Sequence, residues 1–244
     1  MSQAESVASS VKPSRKELGD FLLLERIGEG GMGAVFKAKQ KSLNRMVALK
    51  VLSPALAKSA DNVERFKREA RASAALNHPN IVQGITVGED SGVHYFVMEL
   101  LDGETVSQRF VREGKLPVAD VIEIGRQTAL ALAHAHKRGL LHRDIKPENL
   151  MLMKNGSGSA GGGDIAVKLM DLGLARLASE DGAITQSGMA LGTPHYISPE
   201  QARGTRNLTC ACDLYSLGAT MLHVVSGRRP YDGPTAAAVM SQHV

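Results

Sequence analysis

The stretch His142-Arg143-Asp144-Ile145-Lys146-Pro147-Glu148-Asn149 places a carboxylate, an ammonium and a carboxamide in one short loop. Asp144 can accept or orient the proton of an attacking hydroxyl, Lys146 can steady a phosphoryl group in transfer, and Asn149 offers a neutral oxygen to Mg2+. Such a transfer asks for charge compensation more than for a strong base. Taken alone, the string also reads as a polar loop whose aspartate caps a helix. The residues on either side decide between the two.

Downstream, Asp171-Leu172-Gly173 follows a strand candidate at 165–170. The tripeptide means little by itself, but it lies about 20 residues beyond Asn149 with a hairpin between, where a second metal-holding carboxylate is needed. Upstream, Gly28-Glu29-Gly30-Gly31-Met32-Gly33-Ala34-Val35 is glycine-rich. Its backbone can fold tightly and turn N–H groups toward phosphate oxygens. The pattern also fits a dinucleotide-binding turn, but that use needs a helix directly after the glycines. Val35-Phe36-Lys37-Ala38 reads instead as a strand, so a hairpin lid over a nucleotide is the better fit. In Val47-Ala48-Leu49-Lys50, Ala48 and Lys50 share one face of a strand. Ala48 leaves room for a flat ring and Lys50 reaches for phosphates. A lysine in a partly apolar cleft needs an acidic partner. Glu69, close to Phe66 and Ala70 on a predicted helix, is the candidate, and Glu64 points elsewhere.

The rest of the chain supplies a two-part frame. Strand candidates at 21–27, 34–38, 46–52, 81–87 and 93–100 surround one helix, which Asp61 can cap and which runs to about Leu76. Glu89-Asp90-Ser91-Gly92 reads as a turn and Leu101-Asp102-Gly103 as a hinge. Beyond it the pattern becomes helical. A helix spans 118–137 with Ile122, Leu130, Leu132 and Ala133 on its expected buried side, and an apolar helix spans 213–226. The glycine-rich run 155–163 is a connector. Strands plus one helix, then mostly helices, give an α+β chain in two lobes around a cleft.

Composition narrows the function classes. The 244 residues are 43% hydrophobic and 22% charged, those of a soluble globular chain large enough for a real core. A net charge of +4, with basic residues scattered, gives no reason to expect a nucleic-acid partner. Cys210 and Cys212 are too few for a zinc site and read as unbridged thiols of a reducing compartment. The apolar run 214–227 is too short to span a bilayer, and the first residues form no secretory signal.

In order and spacing, the strings G-E-G-G-M-G-A-V, V-A-L-K, F-K-R-E-A, V-M-E-L-L-D-G, H-R-D-I-K-P-E-N, D-L-G, G-T-P-H-Y-I-S-P-E-Q and D-L-Y-S-L-G resemble the eukaryotic-type serine/threonine protein kinases, most of all the bacterial ones. The resemblance implies a two-lobed kinase fold. Residues 1–20 would be a flexible tail, 21–100 an antiparallel-sheet N-lobe with one main helix, 99–103 the hinge, and 104–244 a mainly helical C-lobe, incomplete at the C-terminus. A chain ending there would be marginally stable and poorly active, with Glu200 lacking its usual arginine. ATP and Mg2+, or Mn2+ in its place, would be the cofactors, and protein serine and threonine hydroxyls the acceptors. Ile27, Val35, Ala48 and Met151 would sandwich adenine behind the gatekeeper Met98, with the backbone of Glu99 and Leu101 as its hydrogen-bond partners. Residues Gly28, Glu29, Gly30, Gly31, Met32, Gly33 and Ala34 would cover the phosphates. Lys50, Glu69, Asp144 and Lys146 would be catalytic, and Asn149 and Asp171 would hold the metal. Thr193 would bridge to Asp144 and Lys146, and Asp213 would hold the His142–Arg143 turn. Phosphates on Thr185 and Ser187 would face Arg143, with self-association for trans-autophosphorylation. The domain would be cytoplasmic, with any membrane anchor of a longer protein outside this chain. Leu172 and Ser198 depart mildly from the family's common Phe and Ala. The alternative is a pseudokinase, an ATP-binding scaffold without turnover.

Overall fold

The computed structural model describes residues 17–154, 165–172, 194–205 and 207–244. Strands β1 (Glu17–Leu18), β2 (Phe21–Gly30), β3 (Gly33–Gln40), β4 (Arg45–Leu52), β5 (Gly84–Asp90) and β6 (Val93–Glu99) form one antiparallel sheet in the order β1-β2-β3-β4-β6-β5. Alternation sorts its side chains onto two faces. Phe21, Leu23, Phe36, Val47, Leu49, Tyr95 and Val97 close one face on themselves. Ala48, Leu52, Phe96 and Met98 point the other way, toward helix α2 (Ala60–Ala74) and its buried Val63, Phe66 and Ala70.

Three expectations change at this level. Residues 17–20 are not tail: Leu18 is buried and pairs with Phe21, and Asp20 accepts the Ser42 N–H at 3.0 Å. Helix α2 is capped by Ser59, whose extended backbone lets its hydroxyl accept the Asn62 N–H, and Asp61 lies in the first turn. The β5–β6 hairpin turns on Ser91 and Gly92 alone, both at positive φ. That is the primed geometry that matches strand twist.

A short helix, α1 (Pro54–Ala57), precedes α2, and after β6 come β7 (Gly103–Thr105), α3 (Val106–Glu113) and α4 (Val118–His136). Strands β8 (Leu150–Met153) and β9 (Val167–Leu169) pair with β7 in the order β7-β8-β9. Helices α5 (Pro199–Ala202), α6 (Ala211–Ser226) and α7 (Ala236–His243) complete the described C-lobe. Helix α4 is rotated from its expected setting. Of Ile122, Leu130, Leu132 and Ala133, only Leu132 is buried, while Ile122 and Leu130 are 59% and 47% exposed. The buried side runs through Val121, Ile124, Gly125, Thr128, Leu132 and Ala135. Gly125 helps set it: a Cβ there would lie 2.5 Å from Met221 Sδ, so the glycine makes room for this side chain of α6. Among the described residues no helix is long and apolar enough to cross a membrane.

The lobes are joined by more than the hinge. Residues 80–82 leave α2 and run beside β9: Leu169 N–H donates to Asn80 O, Val82 N–H donates to Leu169 O, each at 2.9 Å. The buried Asn80 amide donates to Gln127 Oε1 of α4 at 2.7 Å and to Val167 O at 2.8 Å. Buried polar groups of this kind are stable only when paired, so the network holds β9 in one register.

Candidate active site

Strand β9 leads directly to Asp171, whose backbone sits at φ 55, a left-handed conformation uncommon outside glycine. Because β9 is bound to residues 80–82, the chain leaving it carries the Asp171 carboxylate up to the sheet. There Asp171 Oδ1 meets Lys50 Nζ at 2.7 Å. Burial pushes the Asp171 carboxyl up, but the Lys50 charge and hydrogen bond outweigh it, with help from His142 and Lys146, and hold it below the usual carboxylate range. The sequence points to Glu69 as a partner of this lysine, and the pair with Asp171 does not exclude it. Glu69 stands on α2 with both carboxylate oxygens shielded from solvent.

The catalytic-loop candidates come together as expected. Lys146 Nζ pairs with Asp144 Oδ2 at 2.7 Å. Asn149 donates its amide to Asp144 O at 2.7 Å and Oδ2 at 3.1 Å. That orientation commits the amide nitrogen and leaves Asn149 Oδ1 as the acceptor a hard cation takes. The loop is held from below. His142 accepts the Asp144 N–H on Nδ1 at 3.2 Å and donates Nε2–H to Met170 O at 2.8 Å, tying the loop to the residue before Asp171. Asp213, fully buried at the start of α6, accepts the N–H groups of His142 at 2.9 Å and Arg143 at 2.7 Å. Arg143 is the second non-glycine residue of the site at positive φ, 68°. Strain of this kind concentrates where function demands a set geometry.

The nucleotide-facing candidates share one surface. Val35 pairs with Lys50, and Ala48 with Met98, so these four lie on the α2 side of the sheet above the catalytic loop. Ile27 falls between the paired residues Arg26 and Gly28, at a register shift, and is 48% exposed, an apolar side chain without cover. Met151 on β8 and Leu101 after β6 are half-buried, and Glu99 ends β6. Gly28, Glu29 and Gly30 end β2, Gly31 and Met32 make the turn, and Gly33 and Ala34 begin β3. The glycines divide by role. At Gly33 a Cβ would lie 1.9 Å from Val51 O, so the fold itself excludes a side chain. At Gly30 and Gly31 a Cβ would meet nothing within 4 Å. Packing does not explain their bareness, and open space there leaves room for a ligand to approach the backbone. The donor set and the uncovered lid both fit a triphosphate with a bound divalent cation. Gly173, Thr185, Ser187 and Thr193 lie outside the described residues.

Two positioning residues escaped the sequence reading. His136 donates Nε2–H to Asp213 Oδ2 at 2.8 Å, and Gln201 donates to Arg143 O at 2.9 Å. His136 has no signal in sequence beyond being polar in an apolar helix, and Gln201, though it closes the string G-T-P-H-Y-I-S-P-E-Q, has nothing local that points to Arg143. A cavity of about 480 Å³ lies apart from these groups, beside α3 and β8, with Arg109 and Arg112 in its wall. Both arginines already pair with carboxylates, Arg109 with Glu113 and Asp120 and Arg112 with Glu104.

Comparison with known proteins gives the same picture. A family model described as protein kinase domain matches residues 21–244. Serine/threonine-protein kinase pkn2 of Myxococcus xanthus is 41% identical over 227 residues, 92% of this chain and 26% of that protein. Serine/threonine-protein kinase PrkC of Bacillus subtilis is 36% identical over 226 residues, 93% of this chain and 33% of that protein. The chain thus spans roughly a quarter to a half of the curated relatives it matches, from 26% to 51%. Among solved structures, the Mycobacterium tuberculosis PknI kinase domain superposes with a TM-score of 0.69 at 30% identity, covering 91% of this chain and 83% of that one. A structure of Rad53 1–466 in complex with AMP-PNP superposes with a TM-score of 0.72 at 27% identity, covering 91% of this chain and 53% of that one.

Proposed function

Because the chain belongs to the protein kinase domain family, in its eukaryotic-type serine/threonine division with bacterial relatives, we propose that it transfers the γ-phosphoryl group of ATP to serine or threonine hydroxyls of proteins. The observation that carries this is the pair of linked clusters: Lys50 with Asp171, and Asp144 with Lys146 and Asn149. The two ammonium groups, paired here with carboxylates, sit where they could compensate the charge of a polyphosphate, and the acceptors where they could take a divalent cation.

In this reading Ile27, Val35, Ala48 and Met151 enclose adenine, Met98 closes the back of its pocket, and the backbone of Glu99 and Leu101 hydrogen-bonds its edge. The backbone of residues 28–34 covers the phosphates. Lys50 holds the α- and β-phosphates, and Glu69 balances charge on the inner face of α2. Asp144 orients the acceptor hydroxyl and takes its proton, and Lys146 steadies the phosphoryl oxygens. Mg2+, or Mn2+, held by Asp171 and the free oxygen of Asn149, supplies neutralisation of phosphate charge when bound. Arg143 lies beside the catalytic aspartate, where it can pair with phosphates on Thr185 or Ser187 added by a second copy of the chain. The domain then works in the cytoplasm, where ATP is, in signalling by protein phosphorylation.

The test is transfer of labelled phosphate from ATP·Mg to the chain or to a generic basic protein, with Asp144→Asn beside the parent. Label in the parent and none in the variant is expected. ATP binding without label in either would overturn the enzyme reading and leave a nucleotide-binding scaffold. For the regulatory part, Thr185→Ala/Ser187→Ala should lose the difference in turnover that phosphatase treatment makes in the parent. An unchanged difference would end that part.

A further inference from the structure

Among the described residues of the site region, Lys168 has no part in the proposed transfer. Lys168, in the middle of β9, has its ammonium 2.6 Å from Glu99 Oε1, at the end of β6 where the chain enters the hinge. The same oxygen accepts the backbone N–H of Gln83 at 2.7 Å. Glu99 in turn donates its own N–H to Gln83 O at 3.0 Å. Glu99 is therefore tied at its backbone and at its side chain, to residue 83 before β5 and to β9 of the other lobe. Strand β9 is itself anchored at this point, because Val167 is bonded to Gln127 and Leu169 to Asn80 and Val82. A lysine anchored between two such residues is a fixed post.

We infer that Lys168 is a positioning residue for the nucleotide base: by holding the Glu99 carboxylate against Gln83, it sets the direction of the hinge backbone that hydrogen-bonds adenine. The inference rests on the ATP reading of this cleft. Lys168 reaches neither the phosphates nor the acceptor hydroxyl in that reading, so its influence is confined to the base. The link is electrostatic as well as geometric. A carboxylate oxygen that takes an ammonium and an amide together loses its freedom to rotate, and the residue bearing it loses freedom in its backbone. Lys168 and Glu99 side chains are 21% and 31% exposed, so the pair is partly screened and its effect is moderate.

The experiment uses the whole chain and a fluorescent ADP·Mg probe, displaced by ATP·Mg or by Mg·tripolyphosphate, which has no base. Lys168→Met should weaken ATP about five-fold, the scale of a partly exposed charge pair, and leave tripolyphosphate unchanged. Steady-state assays should then show a raised KM for ATP at unaltered kcat. Lys168→Arg should restore ATP binding to within about two-fold, since it keeps the charge and a donor. Glu99→Gln, which keeps an acceptor for Gln83 but drops the charge, should reproduce the selective loss by a second route if Lys168→Met folds poorly. Equal ATP affinity in parent and both charge-removing variants would overturn the inference, as would an equal loss for ATP and tripolyphosphate. If the parent binds tripolyphosphate and ATP equally well, or neither, the nucleotide reading itself fails before Lys168 is in question.

Discussion

Asp213→Asn should cost this domain about 3 kcal/mol, because asparagine can satisfy only part of what the carboxylate holds. Both oxygens are committed in a site with no solvent: Oδ1 to Arg143 N–H at 2.7 Å, and Oδ2 to His142 N–H at 2.9 Å and His136 Nε2 at 2.8 Å. The amide presents N–H2 to one of these donors. A buried donor left without an acceptor costs about 1–3 kcal/mol, and loss of charge roughly halves the bonds that remain. Arg143 resists as well, since its left-handed backbone, at φ 68, is about 1–2 kcal/mol uphill for a side-chain-bearing residue. With the clamp weakened, the turn can relax toward ordinary φ and carry Asp144 with it. Urea unfolding followed by circular dichroism should show the midpoint lowered by about 1 M, for a denaturant slope near 3 kcal/mol/M. Turnover should fall on the order of 100-fold, the scale of an ångström's misplacement of a catalytic group. A midpoint within about 0.3 M of the parent and turnover within about two-fold would refute the reasoning, since they would mean that the three donors find partners without the carboxylate.

Paired glycine substitutions separate fold from ligand in the lid. Gly33→Ala, with φ +143 and Val51 O 1.9 Å from the new Cβ, should lower stability by more than about 2 kcal/mol, whereas Gly31→Ala should stay within about 0.5 kcal/mol yet bind ATP several-fold more weakly, both read by melting and nucleotide titration. Burial lowers the pKa values of His78, with His134 adding to it, and of His134 and His223 below the ordinary 6.5. Below that pH the unfolded chain binds more protons than the folded one, so this stability is whole above about pH 6.5 and is lost as pH falls toward the folded values; the melting temperature should drop between pH 7.5 and 5.5. His78→Asn, which does not titrate and can still accept the Asn80 N–H that His78 Nδ1 takes at 3.1 Å, should flatten part of that slope, and an unaltered slope would count against His78 as a contributor. Lys50→Met removes the main charge that opposes burial at Asp171, so that carboxyl should rise from its lowered value; turnover should fall at least about 100-fold with the urea midpoint nearly kept, and near-parental turnover would remove Lys50 from the chemistry.

The residues proposed for the chemistry were legible because phosphoryl transfer would need particular groups at short, contiguous spacing, as in 142–149 and 47–50. Packing was less legible where composition was ambiguous. Helix α4 is apolar on most sides, so period alone could not choose its buried face. The choice is made by Gly125 against Met221 and by Gln127 and Thr128, polar residues that a hydropathy reading turns outward. Ser59 and Asp61 are both competent caps two positions apart, and only the extended backbone of Ser59 separates them. The pairing of Lys50 with Asp171 was hidden by distance: the two residues are 121 apart in the chain, no local pattern marks their meeting, and tertiary placement of β9 brings Asp171 up.

What stayed hidden has a common physical origin. Asn80 with Gln127, Glu99 with Lys168, and His136 with Asp213 are joined across 47, 69 and 77 residues, each a polar side chain ordinary in its own neighbourhood. Their value comes from topology: each pair pins a strand, a hinge or a turn that ends in a chemical residue. A catalytic side chain must meet the substrate's chemistry and so is restricted in type, whereas a positioning side chain need only fill a gap between two backbones with matched donors and acceptors. Many residue types can do that, so no local pattern marks them. It follows that substitutions at such positions should be separable from those at Asp144 or Asp171 by what can rescue them. A different donor of similar reach should restore Lys168 or His136, while no neutral replacement of equal shape should restore the loop aspartate.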